Sequence, residues 1–252
     1  MKCPPCLVVV STQRSGSTLV CDDVEGTGVL GRPSEYYISL LQRLREGHTL
    51  PLQGIRDHLA NRGTTPNGVV AVKVMAGHLP AIDRMYEAVR AHAGKDRMFP
   101  HFFGEIEGAH ILRVVRKDRV AQAVSRIMAA KSQVYHRTEE PGRFRSLLGT
   151  HVSSERNRNE AFPYDESEIW KTIERIAGEE RLLDRCLKQC ELPVMNVLYE
   201  EIVEDRSYLH QLGDSLKVGN VTPRPRRLQK VAGHESDRWI RRFKAAHPRF
   251  DQ

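Results

Sequence analysis

The chain has 252 residues, enough for one large domain or two small ones, so a small fold that depends on disulfides is excluded. Apolar residues make up 40% and charged residues 28%, which is typical of a globular rather than a disordered protein. Apolar runs such as Leu7 to Val10 are too short for a membrane span or a secretory signal. We therefore expect a cytoplasmic protein without stable membrane insertion.

The net charge of +7 indicates an anionic partner. Residues 223–252 hold nine Lys or Arg against three Asp or Glu, so this segment alone contributes +6. Such a segment is typical of a nucleic-acid-binding protein and also of a pocket for a phosphorylated cofactor. Cys3 and Cys6 form a C-x-x-C pair, but the second pair that a zinc ribbon needs is missing, so no metal site is predicted.

Four short apolar runs rich in β-branched residues predict buried strands, at Leu7 to Ser11, Val69 to Val74, Ile111 to Val115 and Pro193 to Leu198. Helical patterns accompany them at Ser15 to Glu25, Glu35 to Arg45, Leu79 to Ala93, Asp118 to Ala130 and Ser167 to Cys190. This alternation predicts an α/β fold whose parallel sheet is covered by helices on both faces. We predict one domain over residues 1–252, with an insertion or lid at about 131–165, where the sequence is polar and poorly periodic.

The turn after the first predicted strand reads Gln13-Arg14-Ser15-Gly16-Ser17-Thr18. Unpaired backbone N–H groups and the positive end of a helix dipole make such a junction an anion site. Gly16 allows close backbone approach, two hydroxyls follow it, and Arg14 adds a bidentate cation, so a phosphate or sulfate is predicted to bind here. Capping of the helix by Ser15 is a simpler interpretation, but it explains one residue of six. No lysine follows Gly16, as the kinase and ATPase motif G-x-x-x-x-G-K-[ST] requires.

Gln13 to Thr18 also resembles the phosphosulfate-binding loop of sulfotransferases, in particular the bacterial trehalose sulfotransferase group. Similar segments follow along the chain: Gly31 to Tyr37, Thr65 to Val69 with Lys73, Arg116 with Val120 to Ser125, and Ser236 to Trp239 with Arg241 and Arg242. The resemblance implies a P-loop-like sulfotransferase fold. It also implies 3′-phosphoadenosine 5′-phosphosulfate (PAPS) as co-substrate, without a metal.

The resemblance assigns roles to individual residues. The loop residues Gln13, Arg14, Ser15, Gly16, Ser17 and Thr18 would bind the phosphosulfate, and Arg116 and Ser125 the 3′-phosphate. Charge adds one expectation to these roles: a cofactor with two anionic ends needs separated positive sites, and the basic segment around Arg226, Arg227 and Lys230 can form a further clamp over the nucleotide.

Glu35 corresponds to the proposed general base of that group, which would take a proton from the acceptor hydroxyl. An acidic residue that only offsets the dipole of a helix is the structural alternative. Lys73 interrupts an apolar run and must reach solvent, a carboxylate or an anion, because an unpaired buried ammonium is costly. In the functional interpretation, Lys73 or Arg14 neutralises charge on the transferred sulfuryl group and its leaving phosphate oxygen.

The leading hypothesis is therefore a sulfotransferase that moves the sulfuryl group from PAPS to a hydroxyl of a carbohydrate or glycolipid, with no nucleic-acid partner. Two alternatives stay open: a non-catalytic nucleotide- or RNA-binding protein, and a P-loop-like kinase. The sequence leaves open the identity of the acceptor and whether the chain forms a homodimer.

Overall fold

A computed structural model describes residues 6–89, 96–132, 162–229 and 233–250, with the backbone alone at 137–138 and 228–229. The strands in this part of the chain are β1 (Leu7–Ser11), β2 (Ala71–Met75), β3 (His110–Val115), β4 (Arg137–Thr138), β5 (Val194–Leu198) and β6 (Leu228–Gln229). Its helices are α1 (Ser17–Gly26), α2 (Tyr37–Arg45), α3 (Leu52–Gly63), α4 (Leu79–Glu87), α5 (Pro100–Glu105), α6 (Arg119–Ser132), α7 (Glu166–Gln189), α8 (Tyr199–Ile202), α9 (Tyr208–Ser215) and α10 (His234–Ala246).

The central sheet is parallel, with strand order β2-β1-β3-β5, and β4 pairs separately with β6. In the register of the sheet, Val9 of β1 lies between Lys73 of β2 and Leu112 of β3. Parallel neighbours require crossover connections, and helices supply these here. The carboxyl ends of all four strands therefore meet at one edge of the sheet.

Alternating residues of β1 point to opposite faces of the sheet, and each face has its own apolar cluster. Val8 and Val10 pack in a cluster with residues of α2, α3, α4, α5 and α7. Leu7 and Val9 pack in another cluster with residues of α1, α8 and α9. Helices thus cover both faces of a parallel sheet, which confirms the predicted fold class.

The predicted elements are present, with shifted ends. α1 begins at Ser17, two residues later than predicted, and Glu35 precedes α2 instead of opening it. Glu35 stays outside the helix because the Lys73 N–H donates to the carbonyl of Ser34 and holds this segment along β2. The sequence did not predict α3, α5, α8 or α9.

Two predicted features extend beyond the described residues. The predicted helix from Leu79 to Ala93 is observed only as α4, which ends at Glu87, and residues 90–95 are not described. The insertion at 131–165 is described only at its ends and at 137–138. Among the helices that the structure describes, none has both the length and the apolar character that a bilayer crossing requires.

Two buried carboxylates of α1 hold the segment that precedes β6. Asp23, whose side chain is fully buried, accepts hydrogen bonds from the guanidinium of Arg226 and the hydroxyl of Tyr208. Asp22 binds the guanidinium of Arg227 in the same way. Both arginines are therefore engaged by carboxylates of α1, and the expected clamp over a nucleotide stays a prediction.

Removing the Asp23 carboxylate should leave a partly buried guanidinium without its partner. We expect Asp23→Ala to lower the free energy of unfolding by about 3 kcal/mol, the lower end of the cost of breaking a buried ion pair. Urea denaturation measures this change. Asp214→Ala, at an exposed position of α9, is the control and should leave stability near the parent value. Equal losses in the two variants would contradict the importance of the Asp23 contacts.

Candidate functional site

The loop between β1 and α1 has a backbone suited to an anion. Arg14 and Gly16 both adopt left-handed conformations, with φ of 62° and 93°. Gly16 is the N-cap of α1, and no side chain caps the helix. The Ser15 hydroxyl donates instead to the Thr12 carbonyl at 2.9 Å, so helix capping by Ser15 is excluded. The first N–H groups of α1 have no helical acceptor and are available to a ligand.

Tyr199, the first residue of α8 and directly after β5, packs against this loop. A Cβ atom at Gly16 would lie 2.2 Å from Cδ2 of the Tyr199 ring, closer than any real contact, so only glycine fits. The same ring lies against the guanidinium of Arg116, 4.7 Å from ring centre to Cζ. Tyr199 thus contacts both predicted anion-binding segments. No role was predicted for Tyr199, although its position directly after a predicted strand was a usable signal for this edge of the sheet.

Gln122 of α6 forms hydrogen bonds with the start of the loop. Its side chain is fully buried, and its amide donates to the Thr12 hydroxyl and to the Gln13 carbonyl, both at 2.8 Å. These bonds hold the start of the loop in place. Gln122 lies within the segment that carried the family resemblance, but no role was predicted for it.

The two predicted phosphate sites are adjacent in space. The Arg14 guanidinium donates to the Ser125 hydroxyl at 3.0 Å, and Arg116 donates to the Arg14 carbonyl at 3.2 Å. The Nε atom of Arg116 is buried and has no hydrogen-bond partner among the described residues. Glu200 accepts hydrogen bonds from the N–H groups of residues 117 and 118, which fixes the chain that follows Arg116.

Glu35 and Lys73 form an ion pair beside the loop. The Lys73 ammonium lies 3.0 Å from Glu35 Oε1 and donates to the Thr18 hydroxyl at 3.2 Å. Lys73 is only 6% exposed, so it does not reach solvent, and a carboxylate satisfies it instead. The second carboxylate oxygen, Oε2, lies 3.8 Å from Nδ1 of His78, on the turn that follows β2. A chain of polar contacts therefore connects α1 to Glu35.

Mutual attraction keeps both members of this pair charged. Burial by itself would raise the pKa of the Glu35 carboxyl, but the Lys73 ammonium and, more weakly, His78 hold this pKa below its usual range. Burial would likewise lower the pKa of Lys73, and the Glu35 carboxylate raises it. At neutral pH the site contains a carboxylate and an ammonium.

The structure brings most of the predicted site residues together. Gln13 is exposed, Ser15 and Ser17 are buried, and Arg14, Gly16 and Thr18 are half-buried around the same turn. Glu35, Lys73, Arg116 and Ser125 contact this turn or one another, as described above. Lys230 lies outside the described residues.

The arrangement is that of an α/β protein with a predicted anion-binding loop at the carboxyl edge of its sheet and a carboxylate–ammonium pair beside it. A family model for Stf0 sulphotransferases matches residues 6–246. The chain therefore belongs to the Stf0 sulphotransferase family.

Individual known proteins are also similar to this chain. The trehalose 2-sulfotransferase of Mycobacterium tuberculosis is 25% identical over 285 residues, which cover 96% of this chain and 95% of the relative. That of Mycolicibacterium smegmatis is 27% identical over 168 residues, or 56% of this chain and 62% of the relative. A solved sulfotransferase domain from the curacin biosynthetic pathway has a TM-score of 0.46 and 17% identity, over 93% of this chain and 80% of that one.

The lowered pKa of Glu35 predicts how the ion pair contributes to stability. The contribution is complete above the pKa of an unfolded glutamate and is lost as the pH falls through the lower folded pKa. Glu35→Gln should reduce the free energy of unfolding by about 1 to 3 kcal/mol at neutral pH, and by progressively less in acid.

Urea denaturation between about pH 7 and pH 3 measures this difference. Glu46→Gln, just beyond the other end of α2, is the control and should show no such dependence. A difference between parent and Glu35→Gln that stays constant over the range would contradict the ion pair as its source.

Proposed function

We propose that this protein transfers the sulfuryl group of PAPS to a hydroxyl of a carbohydrate or glycolipid, with Glu35 as the general base. The observation that carries the proposal is the contact chain from Thr18 through Lys73 to Glu35, which joins an anion-binding loop to a carboxylate. Membership of the sulphotransferase family supports sulfuryl transfer as the reaction. The names of the two curated relatives support a carbohydrate acceptor.

The residues at the loop suit a donor with two anionic groups. The N-terminus of α1 and the left-handed Gly16 would hold the 5′-phosphosulfate. Arg116 and Ser125 would hold the 3′-phosphate, and the buried Nε of Arg116 offers a donor that no described residue uses. Arg14 lies between the two groups through its contact with Ser125.

The ion pair supplies the functional groups on the acceptor side. PAPS supplies a sulfuryl group, whose bond to the phosphate oxygen breaks as the acceptor oxygen bonds to sulfur. The Glu35 carboxylate takes the proton that the acceptor hydroxyl loses. The ammonium of Lys73 and the guanidinium of Arg14 stabilise the negative charge that develops on the donor side.

A panel of sugars, glycolipids and lipopolysaccharides assayed with labelled PAPS identifies the acceptor. We expect labelled sulfate on a hydroxyl of at least one carbohydrate-containing acceptor. If the protein binds the nucleotide but labels none of them, the proposed function is wrong and the protein is a nucleotide-binding module.

The proposed 3′-phosphate site predicts a nucleotide preference. The product nucleotide, 3′-phosphoadenosine 5′-phosphate, should bind more tightly than adenosine 5′-phosphate and raise the melting temperature, because it binds the folded state selectively. Arg116→Ala should remove most of this preference. Calorimetry on the parent, on Arg116→Ala and on Arg185→Ala, an exposed control in α7, tests this. Equal affinities of the parent for the two nucleotides would remove the assigned site.

The Glu35→Gln variant separates an enzyme from a binding protein. Gln keeps an oxygen that accepts from Lys73 but cannot take the acceptor proton, so turnover should fall by roughly 10²- to 10⁴-fold. Affinity for 3′-phosphoadenosine 5′-phosphate should stay near the parent value. Both quantities are measured on the same sample, with Glu46→Gln as control. Turnover within threefold of the parent would mean that another group is the base.

A further inference from the structure

We infer that His78 is a positioning residue for Glu35 and relays the acceptor's proton from Glu35 to solvent. The inference rests on the proposed function, because it assumes that Glu35 takes that proton. It is based on the two oxygens of the Glu35 carboxylate, which face two different side chains. Oε1 faces the ammonium of Lys73 at 3.0 Å, and Oε2 faces Nδ1 of His78 at 3.8 Å.

The two partners of Glu35 differ in their access to water. The Lys73 side chain is 7% exposed and lies within the sheet. The His78 side chain is 34% exposed, on the 3₁₀ turn Ala76–His78 between β2 and α4. A distance of 3.8 Å exceeds a hydrogen bond, and a small rotation of either side chain closes it, as is common for catalytic groups before substrate binds. The Glu35 side chain is itself 29% exposed, but an acceptor whose hydroxyl contacts its carboxylate covers that exposed part, so His78 is the partner that then connects Glu35 to solvent.

A proton on Glu35 needs such an outlet. The adjacent Lys73 ammonium disfavours the neutral acid, so Glu35 must release the proton before the next turnover. Lys73 is already protonated and cannot accept it. Imidazole has a higher proton affinity than a carboxylate, by about two pKa units for the free side chains, so transfer to a neutral imidazole is favourable.

The proton path conserves atoms and charge. The acceptor hydroxyl gives its proton to Oε2 of Glu35, and Oε2 passes it to the unprotonated Nδ1 of His78. The imidazolium then releases the proton on Nε2 to water, which leaves the ring protonated on Nδ1. Loss of the Nδ1 proton and gain of one on Nε2 by exchange with water restore the starting tautomer before the next turnover. Lys73 stays protonated throughout and holds Oε1 in place.

Other charged groups near the turn are already engaged. The elements packed against it are α4 and α7. In α4, Asp83 accepts a hydrogen bond from the backbone N–H of Phe102. In α7, Glu180 and Asp184 are bound by Arg119 and Arg113.

Within the described parts of the chain, Arg84 and Glu87 of α4 and the other charged residues of α7 form no ion pair with the imidazole. Among the described residues, Glu35 is therefore the titratable group paired with His78.

The kinetic test compares His78→Ala with His48→Ala in the acceptor assay. His48 is a matched control, because its Nε2 also lies 3.8 Å from a glutamate oxygen, that of Glu46, but beyond the other end of α2. His78→Ala should lower kcat about tenfold or more, a part of the 10²- to 10⁴-fold effect of a general base, with KM for PAPS unchanged. For the parent we expect an acid limb, a fall of kcat at low pH, and this limb should disappear in His78→Ala. Added imidazole should restore part of kcat.

These outcomes separate a relay from a structural role. If kcat and its acid limb match those of His48→Ala, the relay is wrong. The relay is also wrong if kcat falls while the acid limb stays and imidazole restores nothing. If the parent itself labels no acceptor, the proposed function fails, and the relay fails with it.

A test without turnover addresses the pairing itself. Titration of the ¹⁵N-labelled imidazoles by NMR, in the parent and in Glu35→Gln, follows protonation of His78 in the free protein. Removing the facing carboxylate should change the titration curve of His78 and leave that of His48 unchanged. An unchanged titration of His78 would overturn the pairing on which the relay depends.

Discussion

The site is organised around a cation that the sheet buries. Lys73 occupies the middle of β2, in register with Val9, where water cannot solvate its ammonium. A buried ammonium is tolerated only when an anion and hydrogen-bond acceptors surround it. Glu35 and the Thr18 hydroxyl meet this requirement, and in doing so they fix the segment before α2 and the first turn of α1 against the sheet. The contacts that stabilise Lys73 therefore also assemble the candidate site.

This arrangement places the positive charge differently from the G-x-x-x-x-G-K-[ST] motif. There the lysine follows the last glycine and belongs to the loop itself. Here Ser17 follows Gly16, and the ammonium comes from the neighbouring strand to Thr18. One consequence is that the same cation contacts the loop on one side and the Glu35 carboxylate on the other. A lysine within the loop would not be constrained to make both contacts.

Local patterns predicted the parts of the fold that depend on local sequence. Strand β1, helix α1 to within two residues of its start, and the loop with Gly16 follow from hydrophobic periodicity and turn chemistry. The contacts of Tyr199 and Gln122 with the loop could not be predicted, because each contact joins segments far apart in sequence. The position of Tyr199 directly after a strand indicated its edge of the sheet, but not its contact with Gly16. Likewise, the sequence indicated the positive charge of residues 223–252. It did not indicate that Asp22 and Asp23 bind two arginines of this segment.

The close approach of Gly16 to the Tyr199 ring has a consequence for the order of folding. The loop lies near the start of the chain, and the residue that presses against it comes only after β5. During synthesis, β1 and α1 emerge long before Tyr199, so the loop lacks its lateral support until most of the sheet has been made. A contact between such distant segments forms late, because the chain between them loses conformational entropy before the contact can stabilise it. We expect the nascent chain to acquire a shaped anion pocket only when β5 and α8 dock.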